Sequence, residues 1–270
     1  MHKLLNKLFA PNEQALIRKD LTEIGKQRLV RSSLLILPLL MAVGIPFLFL
    51  LVSVFAPTEQ LSDVEQFRAL LGTMLPDVDE RGQMFYVFTN FICPMLFVMI
   101  PLMSASVAAS CAFVGEKERG TMETLLLSPL SVRKLFQTKV AGCALLSGAI
   151  TLISFLLFFI VTVVGDILTG APFFFNLNWL VLVFLLSPAL TVLGITFLVM
   201  ISGRAKTTME AMQVSGYIVF PILLVFIGQI TGLFLLSWWM LLLLAVVIAA
   251  VDIILFNLGF SKFTAEKLLS

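Results

Sequence analysis

The chain has 270 residues, of which 60% are hydrophobic and only 13% are charged, and its mean hydropathy is +1.06. Soluble domains carry roughly 25% charged residues. This composition therefore indicates a membrane protein and excludes a soluble enzyme, a disordered chain and a small disulfide-stapled domain. The net charge of +2 gives no reason to expect a nucleic acid partner.

The charged residues are separated by uncharged runs of 26 to 41 residues. A helix needs about 20 apolar residues to cross a bilayer, so each run is long enough for at least one span. The longest run, 211–251, is long enough for two, and the glycine-flanked segment 228–232 offers a turn near its middle. The sequence therefore predicts an all-α polytopic membrane protein with six transmembrane helices, at residues 32–56, 85–113, 140–165, 179–201, 212–229 and 233–257.

Positive charge predicts the orientation of these spans, because loops rich in Lys and Arg stay in the cytoplasm. Of the 18 Lys and Arg residues, all but Arg68 and Arg81 lie on one side of the predicted membrane. Both termini are therefore expected in the cytoplasm, with the protein multi-pass in the cell membrane. The predicted organisation is a cytoplasmic amphipathic segment at 1–31, a single transmembrane domain at 32–258 with an outer loop at 57–84 and a cytoplasmic loop at 115–139, and a cytoplasmic tail at 259–270.

The amino-terminal segment predicts an amphipathic helix. Ile17, Leu21, Ile24 and Arg28 share one stripe at helical spacing, and basic residues surround that stripe. Such a helix is expected to lie in the membrane interface, with its apolar side in the acyl boundary and its basic side toward anionic headgroups. It serves either as a simple topology anchor or as a functional elbow.

The cytoplasmic loop at 115–139 combines many charges with an apolar triplet, Leu125 to Leu127. The loop is too short to build a core around these leucines, and an apolar patch in water indicates a partner surface. Gly115 and Gly120 have the spacing of a phosphate-binding GxxxxG, but Thr121 and Met122 follow instead of Lys and Ser or Thr. The cation that would hold phosphates is missing, so the chain is not expected to bind a nucleotide itself.

In this loop the charged, glycine-containing turn from Glu116 to Thr121 is followed by Glu123, Leu125, Leu126 and Pro129. The pattern resembles the integral membrane permease of type-2 ATP-binding-cassette (ABC) exporters. In that family an acidic, basic and glycine-rich turn is followed by a glutamate, a leucine pair and a proline. The order of parts is also similar: an amphipathic elbow helix, six spans, a long outer loop after the first span and a coupling loop after the second. The residues that the resemblance assigns to ATPase coupling are Glu116, Lys117, Glu118, Arg119, Gly120, Thr121, Glu123, Leu125, Leu126 and Pro129.

The resemblance implies that the chain is a transport permease and not an enzyme. A separate cytoplasmic ABC ATPase subunit would bind ATP and Mg²⁺, and this chain would bind no cofactor or metal. A second permease, identical or homologous, would complete the membrane part. The substrate would leave the cytoplasm through the permease interface.

Small polar residues within the spans are candidates for a substrate path, although such residues more often pack helices together. Asp252 is the one ionisable residue well inside a predicted span, where it serves either as a proton relay or as a packing carboxylate. The candidate path residues are Thr89, Asn90, Ser104, Ser106, Ser110 and Asp252.

Two other classes of protein compete with the exporter permease. A secondary transporter or channel driven by an ion gradient is the stronger one, but it leaves the cytoplasmic loop unexplained. An intramembrane protease is the weaker one, because His2 is the only histidine and Asp166 and Asp252 lie at different predicted depths. The three cysteines lie in or beside apolar runs and are expected to pack as small hydrophobic residues.

Overall fold

The structure is a computed structural model that describes residues 10–55, 78–121, 131–230 and 237–262. Every regular element within these ranges is helical, which confirms the all-α prediction. Several of the helices run on through a π-helical turn. The helices are α1, Pro11–Lys26; α2, made of Arg28–Leu39, the π-turn Leu40–Gly44 and Ile45–Phe55; α3, made of Glu80–Val87, the π-turn Phe88–Ile92, Cys93–Ala109, the π-turn Ser110–Val114 and Gly115–Glu118; α4, Val132–Thr169; α5, made of Leu177–Val181, the π-turn Leu182–Leu186 and Ser187–Ser202; α6, Thr208–Ser215; α7, Val219–Ile230; and α8, Trp238–Lys262.

Five helices in the described part of the chain are long and apolar enough to cross a membrane: α2 from Val30, α3, α4, α5 and the Trp238–Leu255 part of α8. The protein is therefore a multi-pass membrane protein. The predicted span at 212–229 falls on α6, a short 3₁₀ turn at Gly216–Ile218 and α7, none of which is long enough alone. The count of six spans stays a prediction.

The membrane helices extend further than the sequence predicts. α3 continues to Glu118 and α4 already begins at Val132, so the predicted loop at 115–139 is helical at both ends. α4 has 38 residues, about 57 Å of helix, whereas the hydrocarbon core is about 30 Å thick. Part of α4 must therefore lie outside the hydrocarbon. The ends of α3 and α4 near this loop carry Lys117, Arg133, Lys134 and Lys139, so these are the ends expected to project beyond it. Most of the outer loop at 57–84, together with Glu123, Leu125, Leu126, Pro129 and the tail beyond 262, lies outside the described residues.

Three of the four π-turns in the described ranges have the same relation to proline. They end at Gly44, Ile92 and Leu186, each two residues before a proline, namely Pro46, Pro94 and Pro188. Proline cannot donate to the carbonyl four residues back, and its ring crowds that carbonyl. A π-turn shifts the hydrogen bonds to a spacing of five residues, as in the bond from Cys93 N–H to the Phe88 carbonyl. The wide turns thus accommodate prolines in the middle of membrane helices.

The fold is built around α3, which is the most buried of the membrane helices. Gly194 of α5 approaches α3 so closely that a Cβ there would lie 3.1 Å from the Cβ of Ala105. Small residues are the usual means by which membrane helices pack tightly. At the end of the bundle where α4 ends and α5 begins, Trp179 is completely buried in a cluster of aromatic rings. The phenylalanines whose rings contact Trp179 are Phe97, Phe155, Phe158 and Phe174.

One close contact fixes α3 against α4. The ring of Phe85 covers Gly165, and a Cβ at position 165 would lie 2.2 Å from the Phe85 Cζ. The ring is fully buried, so it has little room to move away.

We expect Gly165→Ala to destabilise the protein by about 1 to 3 kcal/mol, because overpacking a full site forces side chains and backbone to shift. The matched control is Gly148→Ala in the same helix, where a Cβ would meet nothing within 4 Å. That control should be neutral or stabilise by about 0.5 to 1 kcal/mol, as alanine in place of glycine does in helices. Thermal unfolding in detergent measures both, and equal midpoints for the two variants would contradict the packing described.

Candidate functional site

A network of six charged side chains connects three helices at the end of the bundle where α3 ends and α4 begins. Three of them are basic and three are acidic, so the network is neutral as a whole. α1 contributes three, the end of α3 two and the start of α4 one. We call this network the charged junction; its members are Lys19, Asp20, Glu23, Glu116, Arg119 and Lys139.

Lys139 lies at the centre of the charged junction, and it is only 2% exposed. Its Nζ donates to the carbonyl of Ala112 at 2.8 Å and to Glu116 Oε1 at 3.4 Å, and it lies 3.3 and 3.4 Å from the two carboxylate oxygens of Asp20. An ammonium group has three donors, and here each finds an acceptor on a different residue. Ala112 belongs to the π-turn Ser110–Val114, so the lysine also binds α3 at its widened turn.

Glu116 is the most buried acidic residue of the junction, with no exposed surface. One carboxylate oxygen accepts from Lys19 Nζ at 2.7 Å and from Lys139. The other accepts from the Thr121 hydroxyl, and the Thr121 N–H donates to the Glu116 carbonyl at 3.0 Å. Between the two residues the chain reverses through Gly120, whose φ of +67° favours glycine. The motif from Glu116 to Thr121 is therefore a tight turn held by its own glutamate.

The other motif residues contact neighbouring helices. Arg119 donates to Glu23 of α1 at 2.7 Å. Glu118 accepts from the N–H of Thr208 at 2.9 Å and from its hydroxyl, at the first turn of α6, where a carboxylate complements the helix dipole. Within the described residues, the motif thus joins the end of α3 to α1, α4 and α6.

The electrostatics of α1 depend on these partners. Burial raises the pKa of the Asp20 carboxyl, and the Lys139 ammonium opposes that rise. For Lys19, burial lowers the pKa of the ammonium, but the hydrogen bond from Lys19 to Glu116 and the charge of Glu116 outweigh burial and raise the pKa above its usual value. The junction therefore favours the charged form of Lys19, and Lys139 is the main group that favours the charged form of Asp20.

The apolar stripe of α1 packs against protein. Ile17 and Ile24 are buried, and Ile17 lies against Gly142 of α4, where a Cβ would be 3.5 Å from its Cγ1. The expectation that this stripe enters the acyl boundary is therefore wrong for these residues. Asp20 lies on the same buried side of α1. A carboxylate in that position would be costly to place against acyl chains, which offer it no partner.

The three carboxylates of Asp20, Glu23 and Glu116 lie close enough to hold a metal ion, within 4.8 Å of one another. Each of them is already paired with a lysine or an arginine of the junction. The arrangement is that of a salt-bridge network.

The candidate path residues are buried or half-buried and mostly bond within the bundle. The Ser104 and Ser147 hydroxyls are 2.6 Å apart, joining α3 to α4, and Asn90 accepts from the Asn176 amide at 2.7 Å. Asp252 is buried, and one of its carboxylate oxygens has no partner among the described atoms. Thr89 donates to the Phe85 carbonyl and Ser110 donates to the Ser106 carbonyl, so both hydroxyls bond within their own helix. Ser106 is buried.

Sequence reasoning found the motif at the end of α3 but missed its partners Lys19, Asp20, Glu23 and Lys139. Two signals were present in the sequence. Asp20 falls three residues after Ile17 and four before Ile24, on the apolar side of α1. Lys139 immediately precedes an uncharged run of 26 residues, at the edge of the bilayer.

These features define a helical membrane protein with a charged turn projecting from its bundle. A family model described as "ABC-2 family transporter protein" matches residues 14–248. The chain belongs to this family, whose members are membrane components of ABC transporters, and it is an ABC permease component. Comparisons with curated proteins and with solved structures give no match.

We expect Lys139→Met to destabilise the protein by about 3 to 5 kcal/mol, because removing one partner leaves buried charges uncompensated. In this variant Asp20 would stay buried but would lose the ammonium group of Lys139, which favours its charged form. The control is Lys134→Met on the exposed side of the same helix, which should change stability by less than about 0.5 kcal/mol. Chemical or thermal unfolding in detergent provides the comparison. If the two methionine variants unfold alike, the junction does not hold the helices together.

Proposed function

We propose that the chain is the permease half of an ATP-driven exporter. It pairs with a second permease and two cytoplasmic ATPase subunits, which bind ATP and Mg²⁺. The observation that carries the proposal is the turn from Glu116 to Thr121, which joins the end of α3 to three other helices. A partner that pushes on this turn therefore acts on four helices together.

The buried ion pairs make the junction suitable for transmitting force. Lys139 and Glu116 are almost fully buried, and separating such charges is costly. The junction therefore supports movement of α1 and the ends of α3 and α4 as one unit. The π-turn Ser110–Val114 separates this unit from the long apolar part of α3, and π-turns often occur at functional positions in helices.

The segment after the turn is suited to contact the ATPase. Glu123, Leu125, Leu126 and Pro129 fall between Thr121 and Ser131, where the ends of α3 and α4 are expected to project beyond the hydrocarbon. Charged residues at an interface set orientation and register, and leucines fill a groove of the partner. In this proposal closure of the ATPases on ATP moves the segment and, through it, the charged junction.

A secondary transporter is the alternative with a specific observation in its favour. Asp252 is a buried carboxylate on a membrane helix, and one of its oxygens has no partner among the described residues. Such groups often relay protons or bind ions. The two functions differ in their energy source. Transport in liposomes that requires ATP and the ATPase supports the exporter, whereas transport driven by a proton or sodium gradient alone supports the carrier.

We expect the double variant Leu125→Asp, Leu126→Asp to stay folded in the membrane but to lose at least about tenfold of ATP-dependent transport, because truncating interface anchors costs about 2 kcal/mol or more. Glu118→Ala should also reduce coupling, since it removes the acceptor at the start of α6. Lys134→Met is the control with unchanged coupling. The measurements are co-purification of the ATPase and transport per ATP hydrolysed in proteoliposomes. Wild-type values in the leucine double variant would overturn the proposal.

The proposed orientation places both termini and the charged junction in the cytoplasm. The three native cysteines are buried, so an introduced surface cysteine can be labelled selectively. Ser131→Cys should react with a membrane-impermeant maleimide only in inside-out vesicles, and Asp79→Cys only in right-side-out vesicles, because the positive loops stay inside. The reverse pattern would refute the orientation.

A further inference from the structure

An apolar cavity of about 170 Å³ lies between α3, α5, α7 and α8. All twelve side chains that line it are apolar, among them Val98 of α3, Leu186 and Leu190 of α5, Val225 of α7 and Leu244 of α8. Cavities of about 150 Å³ with such linings stay dry in soluble proteins and take up benzene-sized apolar ligands. This cavity is therefore a place for hydrocarbon and not for water or an ion.

The cavity has a closed back and an open side. Leu186 and Leu190 on the back wall are almost fully buried, whereas Pro221 of α7 is exposed. Large apolar residues near the open side are also exposed: Phe220 and Leu224 on α7 and Val247 on α8. Exposed apolar surface of this kind on a membrane helix meets either acyl chains or another membrane helix. The purely hydrocarbon lining of the open cavity suits an acyl chain.

The depth of the cavity fits one leaflet. α8 begins at Trp238, followed by Trp239, and tryptophans favour the headgroup level. Of the lining residues on α8, Leu241 and Ile248 follow Trp238 by three and ten residues, which at 1.5 Å per residue places them about 5 and 15 Å below it. Half of the hydrocarbon core is about 15 Å thick. The cavity thus extends from just below the interface to the middle of the bilayer.

We propose that this cavity holds a segment of one acyl chain of a bilayer phospholipid. The chain enters between α7 and α8, with its headgroup near Trp238. The lining offers hydrocarbon contacts alone, so the site selects the chain and not the headgroup. This binding goes beyond the transport function proposed above and needs neither ATP nor the ATPase.

The test uses the full chain in nanodiscs, with a phosphatidylcholine that carries a photoactivatable diazirine near the middle of one acyl chain. Cross-linked peptides are quantified by mass spectrometry as the mole fraction of the probe is raised. Labelling of the α5 peptide with Leu186 and Leu190 should saturate, as expected of a single site. Labelling near Leu152 and Leu156, which are exposed on α4, should rise in proportion to the probe.

Filling the cavity supplies the second arm. Leu190→Trp should reduce labelling of the lining by about fivefold or more, since overpacking displaces the guest. Leu193→Trp, at a half-buried lining position, should act in the same direction and serves if Leu190→Trp does not fold. Val192→Trp is the control on the exposed side of α5 and should leave labelling unchanged.

Three outcomes would overturn the proposal: non-saturating labelling of the lining, equal labelling in the filled and control variants, or disulfide-linked dimers of a Val225→Cys protein. The last would show that a second copy covers the cavity. A failure here leaves ATP-dependent transport untouched, and a failure to find an ATPase leaves the lipid result untouched, so the two proposals are tested separately.

Discussion

The ammonium group of Lys139 is the constraint on which the charged end of this protein depends. A buried charge without partners is too costly to keep, so the chain must bring acceptors to it from several directions. Asp20 comes from α1, and the Ala112 carbonyl and Glu116 come from α3. Satisfying one lysine therefore fixes the positions of two other helices. Lys19 then balances Glu116, and Arg119 balances Glu23, which leaves the whole network neutral.

The position of α1 shows what the sequence predicts and where it fails. An apolar stripe at helical spacing correctly predicts a helix here, Pro11–Lys26, because helical periodicity is a local property. Arg28, which the spacing places on the same stripe, lies in the next helix. The same stripe does not tell whether its apolar side meets lipid or protein. That distinction depends on the contact with Lys139, which lies 119 residues after Asp20 in the chain. A carboxylate on the apolar side, Asp20, is the local sign that the partner is protein.

The membrane helices show the same difference between local and long-range information. Uncharged runs predict the existence and order of the helices, because a stretch of about 20 apolar residues is enough to indicate a membrane helix. They do not predict that α3 is the central helix, which arises from packing. Small residues such as Gly194 and hydroxyl pairs such as Ser104 and Ser147 are the physical basis of that packing. The motif at the end of α3 is recognisable in sequence, but its contacts with α1, α4 and α6 are visible only in three dimensions.

The bond between Glu118 and the start of α6 has a consequence for α7, which follows α6 after a single 3₁₀ turn. In the lipid-binding proposal, α7 borders a cavity filled by mobile hydrocarbon, unlike the close-packed side chains elsewhere in the bundle. A close-packed interface resists sliding because every displacement opens gaps or creates clashes. A fluid neighbour flows to fit the new shape. A displacement that starts at Glu118 would therefore meet less resistance along α7 than along α3. The helix that packs least tightly would thus be the one connected most directly to Glu118, through α6.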